Sequence, residues 1–349
     1  MTKRESALLR VLRRVLIIIM ITVLMTALFL YAVMYELCRG PSPTAKELFV
    51  RSTKETSAIG FLPGLFLSAE EIDGIMSRAE TDVESTDASL VTVAKPAAAE
   101  DTPQADAWGY ADEDGDGLIL VPVAGESFFG DMLIVLDPSR VIMGCKPEYF
   151  YQHGFTLEEM VTDFDAAAGI NGGGFQDPNG TGDGSTPDRA IVFEGEVCLG
   201  SLGMGAGFVG IDDRYVLHVG LGSVEELEEK HIRYGTSYGP ILVVNGEVPD
   251  PESLRSGLNP RTAIGQRSDG AILMLVIAGR QPNSLGATYA DEAAIMLKFG
   301  AVNACNLDGG SSSLMWIDGG YRSNSSTVVG IRHIPTCFLV MKEGADANE

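Results

Sequence analysis

Asn303-Ala-Cys-Asn-Leu-Asp-Gly-Gly-Ser-Ser-Ser313 is the stretch around which the chain is organised. Its first residues alternate in the manner of a short strand, which carries Asp308 to the strand's end before the chain turns through Gly309 and Gly310. Two glycines leave the backbone open beside the carboxylate, and Ser311, Ser312 and Ser313 add hydroxyls. The turn offers an acceptor for a sugar hydroxyl, a proton or a metal, and N–H and O–H donors for an anion.

Upstream, the apolar strand 166–170 ends at Asn171-Gly172-Gly173-Gly174, a turn of similar design. Consecutive glycines cost chain entropy, so close approach of backbone to a ligand is expected there, with a plain tight turn as the alternative. Asn259-Pro-Arg-Thr-Ala-Ile-Gly265 sets Arg261 at the start of a strand, and Ala278-Gly-Arg280 sets Arg280 just past the end of the next. The turn between them makes a hairpin, so both arginines arrive at one end of the sheet. They read either as a phosphate or carboxylate site or as two surface arginines paired with acids. Glu292 shares a helix face with Ile295, Met296 and Phe299 and is expected half-buried in the first turn, with Asp291 facing away. A catalytic carboxylate and a first-turn acid placed for the helix dipole fit it equally. The four histidines show no metal spacing; His333, before the last strand, could border a site.

From Leu118 onward, short strands are punctuated by turns at Asp137-Pro138, Glu194-Gly195, Asp212-Asp213, Asn245-Gly246 and Asp269-Gly270, with helices expected after Thr156, over 224–230 and over 288–299. This predicts an α+β fold: a large mixed, mostly antiparallel sheet with a few packed helices. Asp112-Glu-Asp-Gly-Asp-Gly117 copies the front half of a calcium loop through Asp112, Asp114 and Asp116, but Val123 stands where the closing Glu belongs. The three are candidate Ca2+ ligands or an acidic surface turn. The five cysteines form no C-x-x-C pair; four lie in strand-like contexts as small hydrophobes, and Cys38 is expected exposed.

Val15 to Tyr35 is an uncharged run of 21 residues, long enough for one transmembrane helix. The residues before it carry +4, which predicts a cytoplasmic N-terminus and an extracytoplasmic remainder. A cleaved signal peptide is the rival, but the residues after the run, Glu36-Leu-Cys-Arg-Gly-Pro-Ser42, offer no clear A-x-A-like site. The formal charge of −23 leaves −27 outside that tail, which repels nucleic acid, so any bound phosphate needs a few local cations. Next, 48–50 looks strand-like, Ser68-Ala-Glu-Glu71 opens a helix to Met76, and 80–104 reads as a mobile linker.

Together, 168–175, Tyr238-Gly-Pro through Gly246, Pro260-Arg-Thr-Ala-Ile-Gly265, Gly279-Arg280, Gly286 to Glu292 and Asn306-Leu-Asp-Gly-Gly-Ser311 resemble, in order, the motifs of the phosphodiester glycosidase family, over about residues 163–341. The chain would then divide into a tail (1–14), an anchor (15–36), a stalk and linker (37–105), a glycosidase domain (106–343) and a polar tail (344–349). The resemblance implies hydrolysis of a sugar C1–O bond in a phosphate-linked glycan. Asp308 and Glu292 would be the catalytic carboxylates. Asn171, Gly172, Gly173, Gly174, Arg261, Arg280, Gly309, Gly310 and Ser311 would hold the substrate and its phosphate. Where the family has a third glycine after Leu-Asp, this chain has Ser311. The rivals are a non-catalytic phosphoglycan-binding module and a metal-dependent phosphodiesterase.

Overall fold

The computed structural model describes residues 3–56, 59–77, 85–93, 105–177, 183–199, 207–220, 222–322 and 330–344. It divides into two compact units, Met1–Ser77 and Arg78–Glu349.

In the first unit, α1 (Lys3–Arg39) contains the uncharged run, and its stretch Leu9–Arg39 is long and apolar enough to cross a membrane. Two shorter helices follow, α2 (Pro43–Lys54) and α3 (Ala69–Met76). Ser42 caps α2 by accepting from Ala45 N, and Pro43 occupies its first turn, where a missing N–H costs nothing. Residues 48–50 are therefore helical rather than a strand. Ser68 and Glu71 form the expected capping box. Cys38, Val50, Leu67 and Ile72 close a small core, and Arg39 pairs with Glu71 at 2.9 Å. Cys38 is wholly buried, not exposed, and the stalk is at least in part a folded helical unit.

The second unit runs through β1 (Leu118–Ala124), β2 (Phe129–Val135), β3 (Val141–Cys145), α4 (Leu157–Asp163), β4 (Ala166–Asn171), β5 (Ile191–Phe193), β6 (Glu196–Leu199), β7 (Phe208–Asp212) and β8 (Leu217–Val219). It continues with α5 (Val224–Glu229), β9 (Ile232–Ser237), β10 (Ile241–Val243), β11 (Arg261–Arg267), β12 (Ile272–Ile277), α6 (Tyr289–Lys298), β13 (Ala301–Asn306), β14 (Met315–Ile317), β15 (Gly320–Arg322) and β16 (Thr336–Met341). The class is α+β, as expected. The strands are shared among three antiparallel sheets, ordered β1-β2-β12-β11-β13-β10, β15-β14-β4-β16-β3 and β6-β5-β9-β7-β8. The Asp137-Pro138 turn joins different sheets, carrying the chain from β2 in the first to β3 in the second.

The six-stranded sheet is buried on both faces. Met132 and Ile134 of β2 and Leu273, Leu275 and Ile277 of β12 meet α6 through Met296 and Phe299. Their alternate neighbours, Leu133, Val135, Ile272, Met274 and Val276, join Ile170, Phe338 and Val209 of the other two sheets in the main core. Two buried faces explain why Ile272-Leu-Met-Leu-Val-Ile277 shows no polar alternation. Three of the strand cysteines, Cys145, Cys305 and Cys337, are free and buried, and burial pushes their thiols well up.

Part of the expected linker, 85–93, is tied to this unit: Val219 N donates to Thr86 Oγ1 at 2.8 Å and Thr92 N to Ser268 O at 2.8 Å. The rest of 80–104, the middle of the loop 176–188 and all but the start of 344–349 lie outside the described residues.

Candidate active site

Register brings the site together. β11 and β12 are hairpin partners with Arg261 opposite Ile277, and β13 runs antiparallel to β11 with Asn306 opposite Ala263. The start of β11, the end of β12 and the end of β13 therefore share one end of the first sheet. In the second sheet Asn171, last in β4, lies opposite Cys337 near the start of β16. The Asp308 turn joins the two ends: Asp308 N donates to Gly172 O at 3.1 Å, and Asn171 Nδ2 donates to Asp308 O at 2.7 Å.

Asn171 is fully buried, and its Oδ1 accepts from Thr262 Oγ1 at 2.8 Å and Leu314 N at 3.0 Å. Its side chain is a clamp on the turn rather than a hand for substrate. The neighbouring glycines are likewise required by the protein's own packing. A Cβ on Gly172 would lie 2.6 Å from Thr336 Oγ1, on Gly173 2.2 Å from Thr236 Oγ1, and on Gly174 2.5 Å from the Tyr238 ring. Gly172 N donates to Thr336 O at 2.9 Å, Gly173 N to Thr336 Oγ1 at 3.2 Å and Gly310 N to Pro260 O at 2.9 Å. Those amides are engaged, so the expectation that they cradle a phosphate is corrected. Gly309 lets the turn approach Pro260, whose carbonyl would be 2.9 Å from a Cβ.

Asp308 is half-buried, with Oδ1 accepting from the Tyr238 hydroxyl at 3.0 Å. Burial pushes its carboxyl above the ordinary range, against the pull of Ser312, Tyr238 and Arg332. The Tyr238 phenol is pushed well up by burial and then by the Asp308 charge, which keeps it a donor. Replacing Tyr238 by Phe removes a bond made to the ionised carboxylate, so the Asp308 pKa rises further. The midpoint of the Asp308 carboxyl titration, followed by NMR of the labelled side chain, then moves to higher pH in Tyr238→Phe; an unmoved midpoint would detach this hydroxyl from the carboxylate.

Arg261 and Arg280 do converge, close enough for Arg261 to disfavour the Arg280 charge. Their surroundings differ. Arg261 is 4% exposed, donating from Nε to Ala287 O at 3.0 Å and from Nη2 to Gly257 O at 2.7 Å, with its guanidinium 4.0 Å from the Tyr289 ring centre. It fixes the walls of the site and contributes its field. Arg280 is exposed, with Nη2 donating to Asn259 Oδ1 at 3.4 Å. Gly310, at φ +65°, leaves room for it: a Cβ there would sit 3.0 Å from Arg280 Nη2. The Arg280 cation is disfavoured first by loss of water, then by Arg261 and Arg332, and is favoured by Asp308.

Arg332, Tyr238 and Asp177 were not assigned roles from the sequence. Arg332 donates from Nη1 to Ser311 Oγ at 3.2 Å, pairs with Asp177 and lies 4.9 Å above the Phe175 ring. The one hint was its place before β16, which is informative only once β16 is known to pair with β4. His333 is exposed. Glu292 is fully buried, deeper than the half-burial expected, with its charge felt by Cys305 of β13. A carboxylate with no exposed surface does not meet substrate in this conformation. Asp291 caps α6, accepting from Thr288 N at 2.8 Å.

Carboxylate oxygens of Asp112, Asp114 and Asp116 lie within 4.8 Å of one another. Asp112 accepts from Gly115 N and Gly117 N, both at 2.9 Å, and Arg140 Nη1 donates to Asp116 O at 2.5 Å. Val123 is buried in β1 and adds no ligand.

A model of the phosphodiester glycosidase family matches residues 164–341. The SPbeta prophage-derived uncharacterized protein YomE of Bacillus subtilis is 44% identical over 68 residues, 20% of this chain and 11% of that protein. The catalytic domain of zebrafish N-acetylglucosamine-1-phosphodiester alpha-N-acetylglucosaminidase, auto-inhibited by its pro-peptide, is similar in fold, with a TM-score of 0.56 and 19% identity over 74% of this chain and 88% of that one. With Asn171, Arg261, Arg280 and Asp308 of the motifs brought to one end of two sheets, the chain belongs to the phosphodiester glycosidase family.

Proposed function

We propose that this chain is a membrane-anchored glycosidase, held by α1 with its second unit outside the cytoplasm, that hydrolyses the C1–O bond of a GlcNAc-like sugar-1-phosphodiester in a cell-envelope or secreted glycan. The support for it is the grouping of a half-buried, desolvated Asp308 with the cations Arg280 and Arg332 in an otherwise acidic protein. The leaving group is a phosphate monoester whose second pKa is about 6, so it departs without a proton from the enzyme. Cations near the leaving oxygen do the work an acid does for a sugar alkoxide. Asp308 acts ionised, either attacking C1 or taking a proton from the attacking water, and its desolvation makes the carboxylate more reactive. Glu292 carries no step.

Release of free N-acetylglucosamine from a GlcNAc-1-phosphodiester in ¹⁸O-water tests this. Label in the sugar is expected; label in the phosphate would mean P–O cleavage and make the enzyme a phosphodiesterase.

A further inference from the structure

We propose that Asp177 sets the charge preference of the anion site: by sharing Arg332 it favours a monoanionic phosphodiester over a dianionic phosphate monoester, and so limits retention of the product. This rests on the phosphodiester reading above.

Arg280 and Arg332 are cations whose charges act on Asp308, and Asp177 is paired with Arg332. Asp177 lowers the positive charge that Arg332 offers an anion, which penalises a dianion more than a monoanion. The product is different in kind, because cleavage of C1–O leaves both bonding electrons on oxygen and gives a monoester of charge about −1.5 to −2 at neutral pH. Without Asp177 the full Arg332 charge would meet that dianion. Asp177 and Arg332 are each only 17% exposed, so their interaction is poorly screened by solvent. Arg332 is also anchored by Ser311, at the position where the family has glycine, and its guanidinium is stacked near Phe175. Its Nε is buried and makes no hydrogen bond among the described residues. Arg332 is thus held in place by groups on two different loops, and Asp177 tempers its charge without removing it. The same carboxylate weakens stabilisation of charge developing on the leaving oxygen, so the arrangement exchanges some speed in bond breaking for release of the product.

The experiment compares binding of methyl phosphate and dimethyl phosphate to the full-length chain in detergent at pH 8, by calorimetry, with no turnover needed. The wild type is expected to bind dimethyl phosphate at least as tightly as methyl phosphate. Removing one negative charge relieves a dianion about twice as much as a monoanion. Asp177→Asn should therefore shift the preference toward methyl phosphate by about tenfold, whereas Asp177→Glu should keep the wild-type order. Asp177→Ser serves as a second neutral replacement should the amide variant misfold. A wild type that prefers methyl phosphate, a wild type that binds neither anion, or a folded neutral variant with an unchanged ratio would each overturn the assignment. Absence of sugar release together with the expected shift would instead remove the glycosidase reading and leave the charge preference standing.

Discussion

Asp308→Asn is expected to lower kcat for sugar release by about a thousandfold or more while the protein melts at the wild-type temperature or slightly above it. The amide keeps the size of the side chain and an oxygen to accept from Tyr238, so the turn between the two sheets has no reason to move. What disappears is the charge. The folded-state pKa of Asp308 lies above its unfolded value, so above both values the ionised carboxylate costs stability, and that cost fades as pH falls through the folded pKa. At neutral pH a neutral replacement removes the cost, the usual signature of a group kept for chemistry against stability. Turnover within about threefold of wild type in a variant with a normal melt would remove Asp308 from the reaction.

The hydrophobic and turn pattern made much of the fold legible. β11, β12, α6, β13 and β16 lie where alternation, capping and Gly or Asp turns placed them, and α5 falls within the helix expected over 224–230. The hairpin logic that joined Arg261 to Arg280 held because only a short turn separates their strands. What stayed hidden depends on pairing between distant strands. That β2 leaves the first sheet for β3 in the second, or that β16 lies between β4 and β3, follows from packing and not from any local preference. Arg332 was hidden for that reason. The glycine triplet was recognised as a place of close approach, but sequence did not say to what, and the partners are Thr336, Thr236 and Tyr238 of the same chain. Arg261 and Arg280 looked equivalent in sequence; only burial tells the wall from the exposed cation.

Gly286→Ala is expected to cost about 3 kcal/mol or more and to lower the melting temperature by about 6–12 °C in a unit of this size. Gly286 has φ +114°, a conformation unfavourable for alanine by about 1–3 kcal/mol. Its Cβ would also fall 2.3 Å from Asn259 C and 2.4 Å from Asn259 O, backbone atoms that no rotamer change can withdraw. The strands cannot separate cheaply, because Asn259 and Ala287 exchange both backbone hydrogen bonds, at 3.2 and 2.9 Å, while Ser127 Oγ holds Gly286 O at 2.9 Å from the other side. Movement here reaches the site by two routes: Asn259 Oδ1 accepts from Arg280, and Ala287 O accepts from Arg261. Sugar release should therefore fall along with stability. Gly246→Ala is the control, since Gly246 has φ +84° but nothing within 4 Å of a built Cβ. It should cost only about 1 kcal/mol and leave turnover unchanged. If the two variants melt together, crowding against Asn259 contributes nothing, and the loop that carries Arg280 is softer than its hydrogen bonds require.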